Sequence, residues 1–134
     1  MFKYLNDFFM PKTTIILLID DDQILLEMYE QKFKLAKFDV LTAINGNEGF
    51  KIATAKKPDC ILTDLVMPGS DGFEFLSKLK RDERTKNIPF ITLTNLSSES
   101  DKKEVMKKGS LDYLVKSNFT PAQVVEKVKS KLKK

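Results

Sequence analysis

Four places in this 134-residue chain carry groups suited to handling phosphate and a hard cation: the run Asp20-Asp21-Asp22, then Asp64, Thr94 and Lys116. Crowded carboxylates raise one another's pKa unless something relieves the repulsion. Magnesium does so with oxygen ligands, using one or two carboxylates, waters and a phosphate oxygen. Two carboxylates and a backbone carbonyl meet that demand. An aspartate can attack phosphorus to give an aspartyl phosphate. A lysine ammonium pairs with one phosphoryl oxygen, a threonine hydroxyl bonds a second, and the cation covers the third. Singly, each residue has a plainer use. The three aspartates can cap a helix and complement its dipole, Asp64 can be a turn residue, and Thr94 or Lys116 alone says almost nothing. Only joint placement makes a site.

The elements must therefore bring these residues together. Ile15–Ile19 reads as a buried strand ending at the three aspartates. A helix is expected from about Asp22 to Ala36, with Leu25, Met28, Tyr29, Lys32 and Phe33 at helical spacing. A strand over Asp39–Ala43, a turn at Asn45-Gly46-Asn47 and a helix from Glu48 to about Lys56, stopped by Pro58, follow. Cys60–Thr63 is a third strand, Pro68 to Gly72 a loop, and Phe73, Phe75, Leu76 and Leu79 mark a third helix. Phe90–Leu93, a helix from Ser98 to Lys108 closed by Gly109, and Leu111–Val115 complete the alternation. The last helix opens with Thr120 as N-cap, Pro121 at its first position and Gln123 at capping-box spacing. Five apolar strands alternating with helices imply a parallel sheet covered on both faces. Ligands in such folds gather beyond the carboxyl ends of the strands. Asp20–Asp22, Asp64, Thr94-Asn95 and Lys116 all fall there.

Histidine is absent. A serine–histidine triad and a histidine-based zinc site are excluded, and chemistry must come from carboxylates, lysine, hydroxyls or backbone groups. The length fits one domain, expected over 13–134 with an extension over 1–12. In the extension Met10-Pro11-Lys12 can be an internal start, or Phe2, Leu5 and Phe9 can share one face of a short docking helix. The apolar run Ile15–Ile19 is too short to span a bilayer, and Lys3, Asn6 and Asp7 interrupt any signal-peptide pattern. A cytoplasmic location without membrane partners is the expectation. Cys60, the single cysteine, reads as a small core residue. Lys127, Lys129, Lys131, Lys133 and Lys134 read as a solvated helix end, and no aromatics interleave to suggest nucleic acid.

The strand ending in Asp20-Asp21, the run Asp64-Leu65-Val66-Met67-Pro68-Gly69 with Asp71-Gly72, Pro89 before a strand ending in Thr94, and Asp112-Tyr113-Leu114-Val115-Lys116 together resemble the receiver domains of two-component response regulators, over roughly Thr13 to Leu132. The resemblance implies an α/β flavodoxin-like (βα)5 fold, a doubly wound five-stranded parallel sheet in the order 2-1-3-4-5. It implies Asp64 as phosphoacceptor, Asp21 as a direct magnesium ligand with Asp64, the Val66 carbonyl as the third protein ligand, and Asp20 helping, often through water. Thr94 would be the switch hydroxyl, Tyr113 the aromatic that turns inward as Thr94 moves, and Lys116 the phosphoryl-binding cation. Asp22 is read as the N-cap of the first helix. Three positions depart from the pattern. Ser117 stands where receivers usually have a proline, often after a cis bond. Asn95 replaces a small residue, and Val66 offers no polar group to orient an attacking water. The last two suggest slow dephosphorylation.

The resemblance further implies a switch rather than an enzyme, one that catalyses only its own phosphorylation and dephosphorylation. The donor would be a sensor histidine kinase or histidine phosphotransfer protein. This chain, lacking histidine, is no such donor. The face of the fourth helix, fifth sheet strand and fifth helix, with Lys102, Lys103, Tyr113 and the region of Lys127, is the expected output surface. With no output domain after Lys134, a single-domain receiver would signal by contact with a partner or by homodimerisation on phosphorylation. Two rivals fail on the residues. A haloacid-dehalogenase-type phosphatase wants an acid where Val66 stands, and a flavodoxin-like binding module wants a glycine- and hydroxyl-rich loop where the three aspartates stand.

Overall fold

The computed structural model describes residues 13–133. The expected extension over 1–12, with Phe2, Leu5 and Phe9, lies outside the described residues. Strands β1 (Ile15–Ile19), β2 (Asp39–Ala43), β3 (Cys60–Thr63), β6 (Phe90–Thr94) and β7 (Tyr113–Val115) form one parallel sheet in the order β2-β1-β3-β6-β7. Counted along this sheet alone, that is 2-1-3-4-5, as expected. Helices α1 (Gln23–Leu35) and α5 (Pro121–Leu132) cover one face, and α2 (Gly46–Lys56), α3 (Gly72–Arg81) and α4 (Glu99–Lys107) the other.

Strand alternation builds both cores. Ile16, Leu18, Cys60, Leu62, Ile91 and Leu93 pack under α1 and α5, whereas Leu17, Ile19, Ile61 and Phe90 pack under α2 to α4. On α1 the buried stripe is Leu26, Tyr29 and Phe33. The expected face was turned slightly: Leu25 is only partly buried, Met28 is 45% exposed and Lys32 faces solvent.

Helix starts follow side-chain caps. Asp22 Oδ1 accepts the Leu25 amide at 3.1 Å, which fixes it as the N-cap of α1. Asn45 Oδ1 accepts the Glu48 amide at 2.8 Å, so α2 begins at Gly46 where a turn was expected. The Thr120–Gln123 capping box closes in both directions. β7 starts at Tyr113, two residues later than expected, because the Ser110 hydroxyl donates to the Asp112 carbonyl and Asp112 Oδ1 accepts the Tyr113 amide, diverting the backbone.

The expected loop over Pro68 to Gly72 instead forms the turn and second strand of an antiparallel hairpin, β4 (Val66–Met67) with β5 (Ser70–Asp71), and Gly72 opens α3. Pro68 and Gly69 turn it. Gly69 has φ 71°, a left-handed conformation that glycine adopts without strain. Two-residue strands carry no periodicity to read.

Candidate functional site

Sheet register delivers the carboxylates. Ile19 pairs with Thr63 across β1 and β3, so Asp20 and Asp64, the next residues on each strand, stand side by side. The Asp64 amide donates to the Ile19 carbonyl at 3.0 Å, holding the chain in line past the strand end. On the other side Thr94 pairs with Val115, which places Lys116 one step beyond.

Both carboxylates are nearly closed off from water, at 4% exposure for Asp20 and 6% for Asp64. Buried charges persist only when answered by donors. The Lys116 ammonium supplies the largest answer, lying 2.7 Å from Asp20 Oδ2 and 2.7 Å from Asp64 Oδ2. Backbone amides supply the rest. Asp20 Oδ1 accepts from Asp22 at 3.0 Å, and Asp64 Oδ1 from Leu65 at 2.6 Å and Val66 at 3.2 Å. Burial still pushes the Asp20 carboxyl above its usual range, against the pull of Lys116. Burial pulls Lys116 down, but its bonds to Asp20 and Asp64 outweigh that and leave it above an ordinary lysine.

Asp21 points to solvent beside them. One oxygen from each of Asp20, Asp21 and Asp64 falls within 4.8 Å of the others. Three carboxylates against one ammonium leave negative charge in excess, and hard oxygen donors of this number fit a divalent cation such as magnesium. The residues present therefore suit the expected metal.

The switch residues are placed differently. Thr94 is wholly buried, and its hydroxyl accepts the Leu96 amide at 3.3 Å. Among the described residues no hydrogen bond joins it to the carboxylate group. Tyr113 is buried, its ring packed in the α2–α4 core, and its hydroxyl donates to the Leu96 carbonyl at 2.7 Å. Leu96 thus links Thr94 to Tyr113 through its own amide and carbonyl. Sequence reasoning missed Leu96, and no signal marks it, because its backbone makes both bonds.

The departures also have positions. All described peptide bonds are trans, and Lys116–Asn118 forms one 3₁₀ turn, so the loop at Ser117 takes another shape while Lys116 still reaches both aspartates. Asn95 is exposed. Val66, two residues beyond Asp64, is 55% exposed.

The family model for the response regulator receiver domain matches residues 16–129. The chain belongs to the response-regulator receiver family. This receiver is 41% identical over 103 residues to Protein PilH of Pseudomonas aeruginosa, covering 75% of this chain and 84% of that one. It is 36% identical over 119 residues to the DNA-binding dual master transcriptional regulator RpaA of Synechocystis, covering 89% of this chain and 49% of that one. The chain thus spans about half the length of that regulator, and likewise 52% of the PhoB phosphate regulon regulator of Pseudomonas aeruginosa. Among solved structures, the receiver is similar to chemotaxis response regulator CheY4 of Vibrio cholerae, with TM-score 0.82, 28% identity, and 90% and 99% of the two chains covered. It is also similar to a response regulator of Chloroflexus aurantiacus described as putative, at TM-score 0.82 and 31% identity, with 92% and 100% covered. The fold and the phosphoacceptor-switch class of the domain follow. Among the described residues no helix is long and apolar enough to cross a membrane.

Proposed function

We propose that this receiver takes a phosphoryl group onto Asp64 from a phosphohistidine of a sensor kinase or phosphotransfer protein. The observation that carries the reading is the Lys116 ammonium shared between Asp64 and Asp20, with Asp21 alongside. An Asp64 carboxylate oxygen attacks phosphorus, the bond from phosphorus to the donor nitrogen breaks, and the imidazole leaves with that electron pair. Lys116, already beside Oδ2, meets a phosphoryl oxygen on the new group. Asp20, Asp21, Asp64 and the Val66 carbonyl would hold the magnesium ion, which when bound neutralises phosphoryl charge.

Output follows from Thr94. A phosphoryl oxygen would accept a charge-assisted hydrogen bond from its hydroxyl, whose oxygen otherwise accepts the bond from the Leu96 amide. Drawing Thr94 inward breaks that bond, and Leu96 carries the change to Tyr113. The surface of α4, β7 and α5, with exposed Lys102, Lys103 and Lys127, then changes shape for a protein partner or for a second copy. The receiver works in the cytoplasm as a switch that transforms only its own phosphoryl group.

The test is incubation with magnesium and acetyl phosphate, read by intact mass, and with beryllofluoride, read by amide spectra. One phosphoryl mass increment, labile to hydroxylamine, and spectral shifts reaching Leu96 and Tyr113 are expected. The mass increment is lost in Asp64→Asn. A mass increment that persists in Asp64→Asn removes Asp64 as the acceptor.

A further inference from the structure

Helix α1 buries Leu26, Tyr29 and Phe33 and turns its opposite side outward. That outer side is not polar throughout. Ile24, Met28, Gln31 and Leu35 recur at spacings of four, three and four residues, which sets them within an arc of about 60°. Ile24 is 76% exposed, Met28 45% and Leu35 74%. Apolar residues at this spacing form the seam along which one helix packs on another. Past Leu35 the stripe leads to a groove of about 490 Å³ lined in part by Ala36, Phe38 and Leu132.

Charge along the same helix is split by end. Asp21, Asp22 and Glu27 are exposed at its start, and Lys32, Lys34 and Lys37 at its finish. Lys37, Lys129 and Lys133 also line the groove. Two copies laid in parallel would bring the aspartates of both together at one end. Laid antiparallel, each acidic end meets a basic one, and the helix dipoles are opposed as well. The register that faces Met28 with Gln31 of the second copy also sets Ile24 beside Leu35 of the second copy. Glu27 then lies on the same side of the seam as Lys34 of the second copy. Lys34 is held by Glu30 at 3.0 Å, but that pair is exposed and yields at little cost.

We propose that two copies of this chain associate along α1, antiparallel, through Ile24, Met28, Gln31 and Leu35, with Glu27 paired to Lys34 across a two-fold axis. The interface is isologous, so every contact between unlike positions occurs twice. Three turns of helix bury less than the roughly 1,200 Å² of a stable complex, so the dimer is weak and concentration-dependent. Helix α1 takes no part in the surface of α4, β7 and α5, so the association needs no phosphoryl group.

Sedimentation equilibrium of the full, unphosphorylated chain tests this. The weight-average mass should rise from that of one chain toward that of two between micromolar and millimolar protein. Leu35→Glu, a change at an exposed position, should hold the mass at that of one chain. Glu27→Lys and Lys34→Glu should each weaken association about tenfold by setting like charges together, and an equimolar mixture of the two should restore it. In that mixture antiparallel pairing makes both ion pairs attractive again. A chain that stays monomeric at millimolar concentration overturns the proposal and leaves the stripe to a different protein. A dimer that survives Leu35→Glu, or a mixture no tighter than its components, overturns it as well.

Discussion

Lys116 Nζ and Asp20 Oδ2 lie 2.7 Å apart, with side-chain exposures of 10% and 5%, and the same nitrogen reaches Asp64 at the same distance. One ammonium therefore answers two buried carboxylates while Asp21 adds a third negative group nearby. Breaking a buried pair leaves uncompensated charge and costs several kcal/mol, unlike the loss of a surface ion pair. Lys116→Met should lower unfolding free energy by roughly 3 kcal/mol at neutral pH in metal-free buffer. Millimolar magnesium should restore part of it, because a ligand bound only by the folded state stabilises that state. Urea titrations with and without the ion measure both. Unchanged stability in metal-free buffer would refute this account of the pocket.

Gly72 is a second point of sensitivity. A Cβ there would sit 2.3 Å from the Leu65 carbonyl oxygen and 2.4 Å from the Leu65 Cα. Backbone cannot swing aside as a side chain can, and Leu65 follows Asp64 directly. Gly72→Ala should cost about 2–3 kcal/mol through forced displacement and weaken magnesium binding with it. Gly49→Ala serves as the contrast. Its Cβ would meet Ile19 Cδ1 at 2.5 Å, the end of a side chain that can turn. Equal losses in the two variants would contradict the reasoning.

Cys60 sets a pH limit. Burial pushes its thiol from 9.0 up to about 12, with the Asp59 charge adding to the effect. The folded-state value is raised, so the stabilisation is complete below pH 9 and is lost as pH rises toward 12. Across that window the slope approaches about 1.4 kcal/mol per pH unit. Cys60→Ala removes this contribution, so the stability gap between native chain and variant should narrow steadily from pH 8.5 to 10.5 in urea melts. A gap independent of pH would exclude the thiol. Native Cys60 should also resist alkylation until the chain unfolds.

The inner strands Ile15–Ile19 and Cys60–Thr63 were legible because they are apolar on both faces, and the edge strand Asp39–Ala43, half-buried, also has the bounds the sequence suggests. The meeting of Asp20, Asp64 and Lys116 was legible for the same reason, since parallel strands put their carboxyl ends on one edge. What stayed hidden depends on tertiary contact. The hairpin at Val66–Asp71 is too short for a pattern, and the rotation of α1 onto Leu26 rather than Leu25 is decided by how Tyr29 and Phe33 seat in the core. The bond of Tyr113 to Leu96 uses a carbonyl, which any residue would supply.

On the proposed phosphorylation of Asp64, Val66 is the position at which the lifetime of the signal can be tested. Its amide donates to Asp64 Oδ1 at 3.2 Å, and the residue is 55% exposed. Hydrolysis of an aspartyl phosphate needs a water held in line with phosphorus, and a valine offers that water no hydrogen bond. An amide at the same place does, and positioning of this kind lowers the barrier. Val66→Asn should shorten the half-life of phosphorylated protein by about tenfold. Stability should hardly move, because the residue is exposed. Asn95→Ala, also at an exposed position past Thr94, should add to the effect if the larger side chain hinders entry of water. Decay of the phosphoryl mass increment in the native chain and the two variants gives the comparison. An identical half-life in Val66→Asn would mean that water reaches phosphorus by a route this residue does not border.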